Sequence, residues 1–186
     1  MIDLETLDTT PGCVILSLGA VKFRPNSDEE PFDELYFRLN VDQQLAKGRT
    51  ISDSTLAWWA KQDPKIQEEA FSDENRIDVE EVVNRLHRWV FGANVVWGHG
   101  YGFDITILED LFRMYNKSIP WNFWQVRDSR TLFSILPEDP RKSMQTDLHN
   151  ALADAYFQAK AVQKANLTIA HIRHYYDGVS GVFEQS

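Results

Sequence analysis

A chain of 186 residues with 43% apolar and 12% aromatic content is the size of one domain and has enough nonpolar side chain for a sizeable core. Its single cysteine, Cys13, excludes an intramolecular disulfide and a cysteine-built metal site, and no apolar run approaches the roughly 20 residues that cross a bilayer. The net charge of −9 argues against a basic groove for polyanions, because nonspecific nucleic-acid affinity comes from lysine and arginine at phosphates. The expectation is one soluble, cytoplasmic domain over 1–186, a core of about 1–165 with a tail over 166–186, and no membrane partner.

In chain order, Met1-Ile2-Asp3-Leu4-Glu5-Thr6 reads as the end of a strand whose apolar beginning is missing. Cys13 to Phe23 follows Pro11-Gly12 and reads as a central strand, with Phe32 to Leu39 as its hairpin partner across a polar, proline-bounded turn. Asp53 is expected to cap a short helix through Trp58-Trp59 towards Gln62, stopping before Pro64. Val79, Val82, Val83, Leu86, Trp89 and Val90 form one stripe at helical spacing. Asn94 to Gly98 is a short buried strand, and His99-Gly100-Tyr101-Gly102 is a turn leading into a helix from about Phe103 to Tyr115. A last helix occupies about His149 to Ala165, with a short helix and a loose end from Thr168. Strands first, then helices alternating with short strands, give an α/β fold with a mixed sheet covered by helices.

The carboxylates carry the chemistry. Asp3 and Glu5 stand two apart on a strand and so share a face. Asp104 lies on the same helical stripe as Ile107, Leu108, Leu111 and Tyr115, so its carboxylate points inward. A buried carboxylate must be paired, protonated or bound to metal; the ordinary alternative is an acid favoured by the helix dipole. Asp154 repeats the pattern on the last helix, sharing its face with Ala151, Ala155, Gln158 and Val162. Oxygen ligands without a thiolate suit Mg²⁺ or Mn²⁺. Such cations would offset the acidic charge and take phosphate oxygens directly. His149 precedes Asp154 by five residues, which on a regular helix would turn the two side chains about 140° apart. It therefore belongs to a loop or a frayed first turn, from which an imidazole can reach a water and take its proton.

Asp3-x-Glu5 on a strand, Gly102-Phe103-Asp104 and His149-Asn150-Ala151-Leu152-Ala153-Asp154, in that order, resemble the DEDDh exonucleases of the ribonuclease H-like superfamily. Ser17 to Val21, Ile51 to Gln62, Val96-Trp97-Gly98 and Arg130-Thr131-Leu132 are similar to the branch holding the mycobacterial-type 3′→5′ exoribonuclease and exonuclease VIII-like domains. The resemblance implies a five-stranded mixed sheet flanked by helices. It also implies two divalent ions (Mg²⁺ or Mn²⁺), with Asp3 bridging them, Glu5 and Asp154 on the water-activating ion, and Asp104 supporting the second. In that scheme His149 is the general base and the product is a nucleoside 5′-monophosphate. Thr6 and Leu7 are placed to touch the terminal nucleotide, Trp58 and Trp59 offer a stacking face, and Arg130 is a candidate phosphate contact or structural ion-pair partner. The expected partners are 3′ ends of RNA, favoured, or of single-stranded DNA, and the aromatic surplus permits a homodimer. A catalytically silent binding module and a small-nucleotide hydrolase are the competing classes.

Overall fold

The computed structural model describes residues 1–144 and 149–183, with the side chains of 143 and 175–183 outside the description. Strands β1 (Ile2–Thr6), β2 (Ile15–Lys22) and β3 (Phe32–Leu39) form an antiparallel meander, and the two-residue β4 (Arg76–Ile77) joins β3 in parallel. Three helices lie between β3 and the next long helix: α1 (Val41–Ala46), α2 (Asp53–Trp59) and α3 (Pro64–Phe71). Then come α4 (Val79–Val90), β5 (Val96–Gly98), α5 (Asp104–Met114), β6 (Val126–Asp128), α6 (Ser129–Ser134) and α7 (Ala151–Phe183).

The sheet departs from the expected five strands. Among the described residues there is a four-stranded mixed sheet, β1-β2-β3-β4, and a separate two-stranded parallel ladder, β5-β6. The reason lies in β1. Met1 and Val21 exchange both main-chain bonds, at 2.9 and 3.0 Å. In an antiparallel ladder bonded and non-bonded pairs alternate, so Asp3–Gly19 is the next bonded pair and the Leu4 amide faces away from β2. That amide donates to the carboxylate of Asp104 instead of to a strand. The edge of β1 that faces β5 is thus occupied by a side chain.

The two faces of the sheet follow from strand alternation. Leu4, Leu18, Ala20 and Phe37 pack against the Val79–Val82–Val83–Leu86 stripe of α4 and against Ile105, Leu108 and Phe112 of α5. On the other face α7 lays down its alanines: Ala155, Ala159 and Ala165 pack with Val21, Trp97 and Val162. Gly19 allows this approach, because a Cβ there would stand 2.1–2.2 Å from the backbone of Ala151 and Leu152. Gln44, fully buried, acts as a substitute strand partner: its Oε1 accepts from the Ile15 amide and its Nε2 donates to the Ile15 carbonyl, both at 2.8 Å.

Two local expectations are corrected, and one holds with an addition. Ser52, not Asp53, caps α2, its hydroxyl accepting from the Thr55 amide at 3.1 Å, and the helix ends at Trp59. Pro64 does stop the preceding segment, but it also opens α3 at the first helical position, where its missing N–H costs nothing. The last helix runs on to Phe183, since no proline interrupts it and its first glycine is Gly178. No helix among the described residues is long and apolar enough to cross a membrane.

Candidate active site

Four carboxylates converge where β1, α5 and α7 meet. Asp3 and Glu5 project from the α7-facing side of β1, as their spacing requires. Asp104 is the first residue of α5 and is 2% exposed. No side chain caps that helix, and the Asp104 Oδ2 accepts from the His99 amide at 3.1 Å besides the Leu4 amide. These bonds aim the carboxylate across β1. Asp154 sits in the first turn of α7, whose start is set by Asn150: its Oδ1 accepts from the amides of Leu152 (3.2 Å) and Ala153 (3.1 Å).

His149 lies just before that cap with φ +68°, in the left-handed region that few non-glycine residues enter. Its amide is held by Asp154 Oδ2 at 3.0 Å. Its ring stands edge-on to Trp58 at 4.8 Å and to Trp59 at 6.3 Å between centroids. The turn therefore presents the imidazole towards the acids, as the five-residue spacing requires. Ligand atoms of Glu5, His149 and Asp154 all lie within 4.8 Å of one another.

The electrostatics are those of crowded, buried carboxyls. Burial, then the neighbouring charges of Asp104, Glu5 and Asp154, hold the Asp3 carboxyl well above the usual range, and the Gln158 amide only partly opposes this by donating at 2.8 Å. Glu5 is pushed up to about 8 by burial and by Asp154 and Asp104. Burial raises Asp104 to about 7 despite its amide donors, and burial also raises Asp154. Among the described residues nothing donates to the Glu5 carboxylate, although Glu5 is 8% exposed. Buried acids that repel one another, with no donor on Glu5 among the described residues, fit a divalent cation, which would restore their ionised forms.

The expected substrate contacts divide sharply. Trp59 is 1% exposed, with its Nε1 donating to the Thr6 carbonyl at 2.9 Å, so it is core and offers no stacking face. Leu7 packs with Val14, Leu16 and Trp59, and its amide and carbonyl bond to Val14 and Ser52. Thr6 is buried and its hydroxyl donates to the Asp8 carbonyl at 2.8 Å. These three form the wall behind the acids and do not face solvent, because the chain after β1 turns inward beneath α2. Trp58 is 42% exposed and open to a ligand. Arg130 is exposed as well and forms no ion pair with an acid among the described residues: its Nε donates to the His99 carbonyl at 2.8 Å.

Two residues named in the sequence were given no role there. Gln158 is a partner of Asp3, and its signal was its position one helical turn after Asp154 on the inward face. His99 is the other. The Arg141 Nη1, 2.7 Å from His99 Nε2, can only donate, so Nε2 accepts and Nδ1 carries the proton, donating to Ser129 Oγ at 2.8 Å. Ser129 Oγ then donates to the Gly98 carbonyl at 3.1 Å. Burial and the charges of Arg130 and Arg141 lower His99 to about 4, so it stays neutral and structural at physiological pH.

The profile of the Rv2179c-like family, described as a 3′-5′ exoribonuclease domain, matches residues 1–166. The chain belongs to that family. The matched span of this exoribonuclease domain holds all four acids and His149. No curated protein matches the chain.

Proposed function

We propose that this exoribonuclease domain is a two-metal 3′→5′ exonuclease of the DEDDh type on a ribonuclease H-like fold, releasing nucleoside 5′-monophosphates from single-stranded RNA 3′ ends. The observation that carries the reading is the convergence of four carboxylates from β1, α5 and α7, crowded and mutually repelling, with an imidazole in the same cluster. Asp3, Glu5, Asp104 and Asp154 would hold two Mg²⁺ or Mn²⁺ ions. Bound there, the cations supply an activated water and a counter-charge for the leaving oxygen.

The protein's own share follows from its geometry. His149 takes the proton of the attacking water, its ring held by the indole edges and its backbone by Asp154. Water adds to phosphorus, the bond from phosphorus to the 3′ oxygen of the preceding nucleotide breaks, and that oxygen leaves with a proton. Asp104 stays fixed by two backbone amides while charge moves past it. Trp58, the exposed aromatic beside His149, supplies a face for the terminal base.

The test is incubation with end-labelled RNA and DNA oligonucleotides under Mg²⁺, Mn²⁺ or chelator, beside Asp154→Ala. Metal-dependent shortening from the 3′ end, lost in the variant and stronger on RNA, is expected. Activity that survives chelation or Asp154→Ala would overturn the assignment.

A further inference from the structure

Beside Asp154 lies a hollow of about 350 Å³, lined by the apolar Phe157 and Met144, the amide-bearing Gln158, and the arm Asp139, Arg141 and Lys142. Among the described residues neither Trp58 nor His149 lines it, so it is a separate approach to Asp154.

Its cationic side is preorganised. The Arg141 Nε and Nη2 engage Asp139 Oδ1 and Oδ2 at 3.0 and 2.6 Å, Nη1 engages His99, and the guanidinium lies over the Phe133 ring. A guanidinium has five N–H donors; three are committed among the described residues, and two remain on a group held by Asp139, His99 and the Phe133 ring. Lys142 is exposed and joins no ion pair among the described residues. His99 ties this arm to the acids directly, since its ring receives Arg141 while its amide holds Asp104.

A chain of net charge −9 must still retain a polyanion while each 3′ nucleotide is removed. Cations in the bound site would account for the scissile phosphate only. The next phosphate upstream needs its own counter-charge, and a hollow beside Asp154 that sets the apolar Phe157 and Met144 against a guanidinium and a free ammonium has the size and the charge to take a nucleotide.

We propose that this hollow is the subsite for the nucleotide on the 5′ side of the scissile bond, with Phe157 and Met144 against its base and Lys142 and Arg141 on the phosphate upstream of it. The proposal rests on the exonuclease reading above. It predicts that the arm senses the second phosphodiester from the 3′ end and not the first.

A dinucleotide without a 5′ phosphate has only the scissile phosphodiester, whereas a trinucleotide has both. For Lys142→Glu and Lys142→Gln, KM on the trinucleotide and on longer RNA should rise about tenfold, the worth of one charge-assisted contact. On those substrates kcat should change less than about twofold, and kinetics on the dinucleotide should be unaltered. The salt dependence of KM should lose about one unit of slope. Arg141→Lys, which keeps the charge and loses the fork, should shift KM in the same direction. Equal losses on both substrates, or no change on either, would overturn the subsite. Wild-type release of the 3′ nucleotide is scored first and tests the underlying reading on its own. Should that fail, fluorescence anisotropy of labelled di- and trinucleotides in Ca²⁺ still decides the subsite: a trinucleotide preference abolished by Lys142→Glu supports it, and its absence rejects it.

Discussion

Replacing Gly19 by alanine should disable the site without touching any of its ligands. Gly19 pairs with Asp3 across β1 and β2, and the first turn of α7 rests on it. An added Cβ would meet the Ala151 carbonyl carbon at 2.1 Å and its oxygen and the Leu152 nitrogen at 2.2 Å. Unstrained carbon contacts lie at about 3.5–4.0 Å, so the helix start must withdraw by roughly 1.5 Å. That start carries Asp154 and, one residue before the cap, His149. Metal ligands and bases must hold position to about 0.5 Å, and a displacement of about 1 Å commonly costs about 100-fold. We expect kcat/KM to fall about 100-fold, with an overpacking loss of about 1–3 kcal/mol. In a chain of this length that is a melting shift of a few degrees for each kcal/mol. The measurement is steady-state cleavage with thermal melting and Mn²⁺ titration, beside Gly12→Ala, where an added Cβ meets nothing within 4 Å. A Gly19→Ala enzyme with activity within threefold of wild type would refute the reasoning, because the helix start would then not be what fixes Asp154 and His149.

The folded, metal-free protein keeps protons on Glu5 (about 8) and Asp104 (about 7) that the unfolded chain releases near pH 4. Asp3 and Asp154 are raised in the same direction. These four carboxyls outnumber the buried Met1 amine (about 5) and His99 (about 4), whose lowered values act the opposite way, so stability should fall as pH rises from about 5 to 8.5 in chelator. Mn²⁺ at about 100 times its Kd should restore about 2.7 kcal/mol at the alkaline end. Melting curves that are flat with pH in chelator would contradict this. Gln158→Leu should leave Asp3 without its amide donor and weaken Mn²⁺ binding about 10- to 100-fold, with activity partly recovered by excess metal and little change in melting; unaltered affinity in a direct titration would remove Gln158 from the site. Gln44→Leu should leave both main-chain groups of Ile15 buried and unpaired, costing about 2–4 kcal/mol by chemical denaturation.

What the sequence disclosed and what it concealed divide along physical lines. Strand alternation put Asp3 and Glu5 on one face, and helical spacing turned Asp104 and Asp154 inward, because those periodicities belong to the backbone alone. The β3 limits and the α4 stripe were legible for the same reason. Contacts fixed by tertiary approach were not. Trp59 and Leu7 looked available as neighbours of a substrate end, yet the turn after β1 buries both. Gln158 was visible as an inward residue, while its bond to Asp3 depends on how closely α7 sits, which Gly19 decides. The broken sheet was equally hidden, since no pattern in β1 or β5 announces that a side chain will take an amide facing the gap between them.

That diverted amide makes Asp104 a wedge in the secondary structure. A ladder between β1 and β5 would be the ordinary outcome for two buried strands lying side by side, and the carboxylate holds it open at Leu4. The domain's regularity and its chemistry thus compete for one N–H group. Taking the acid away would free that group for the neighbouring strand, so an inactivated descendant of this chain has an easy route to a tighter, continuous sheet.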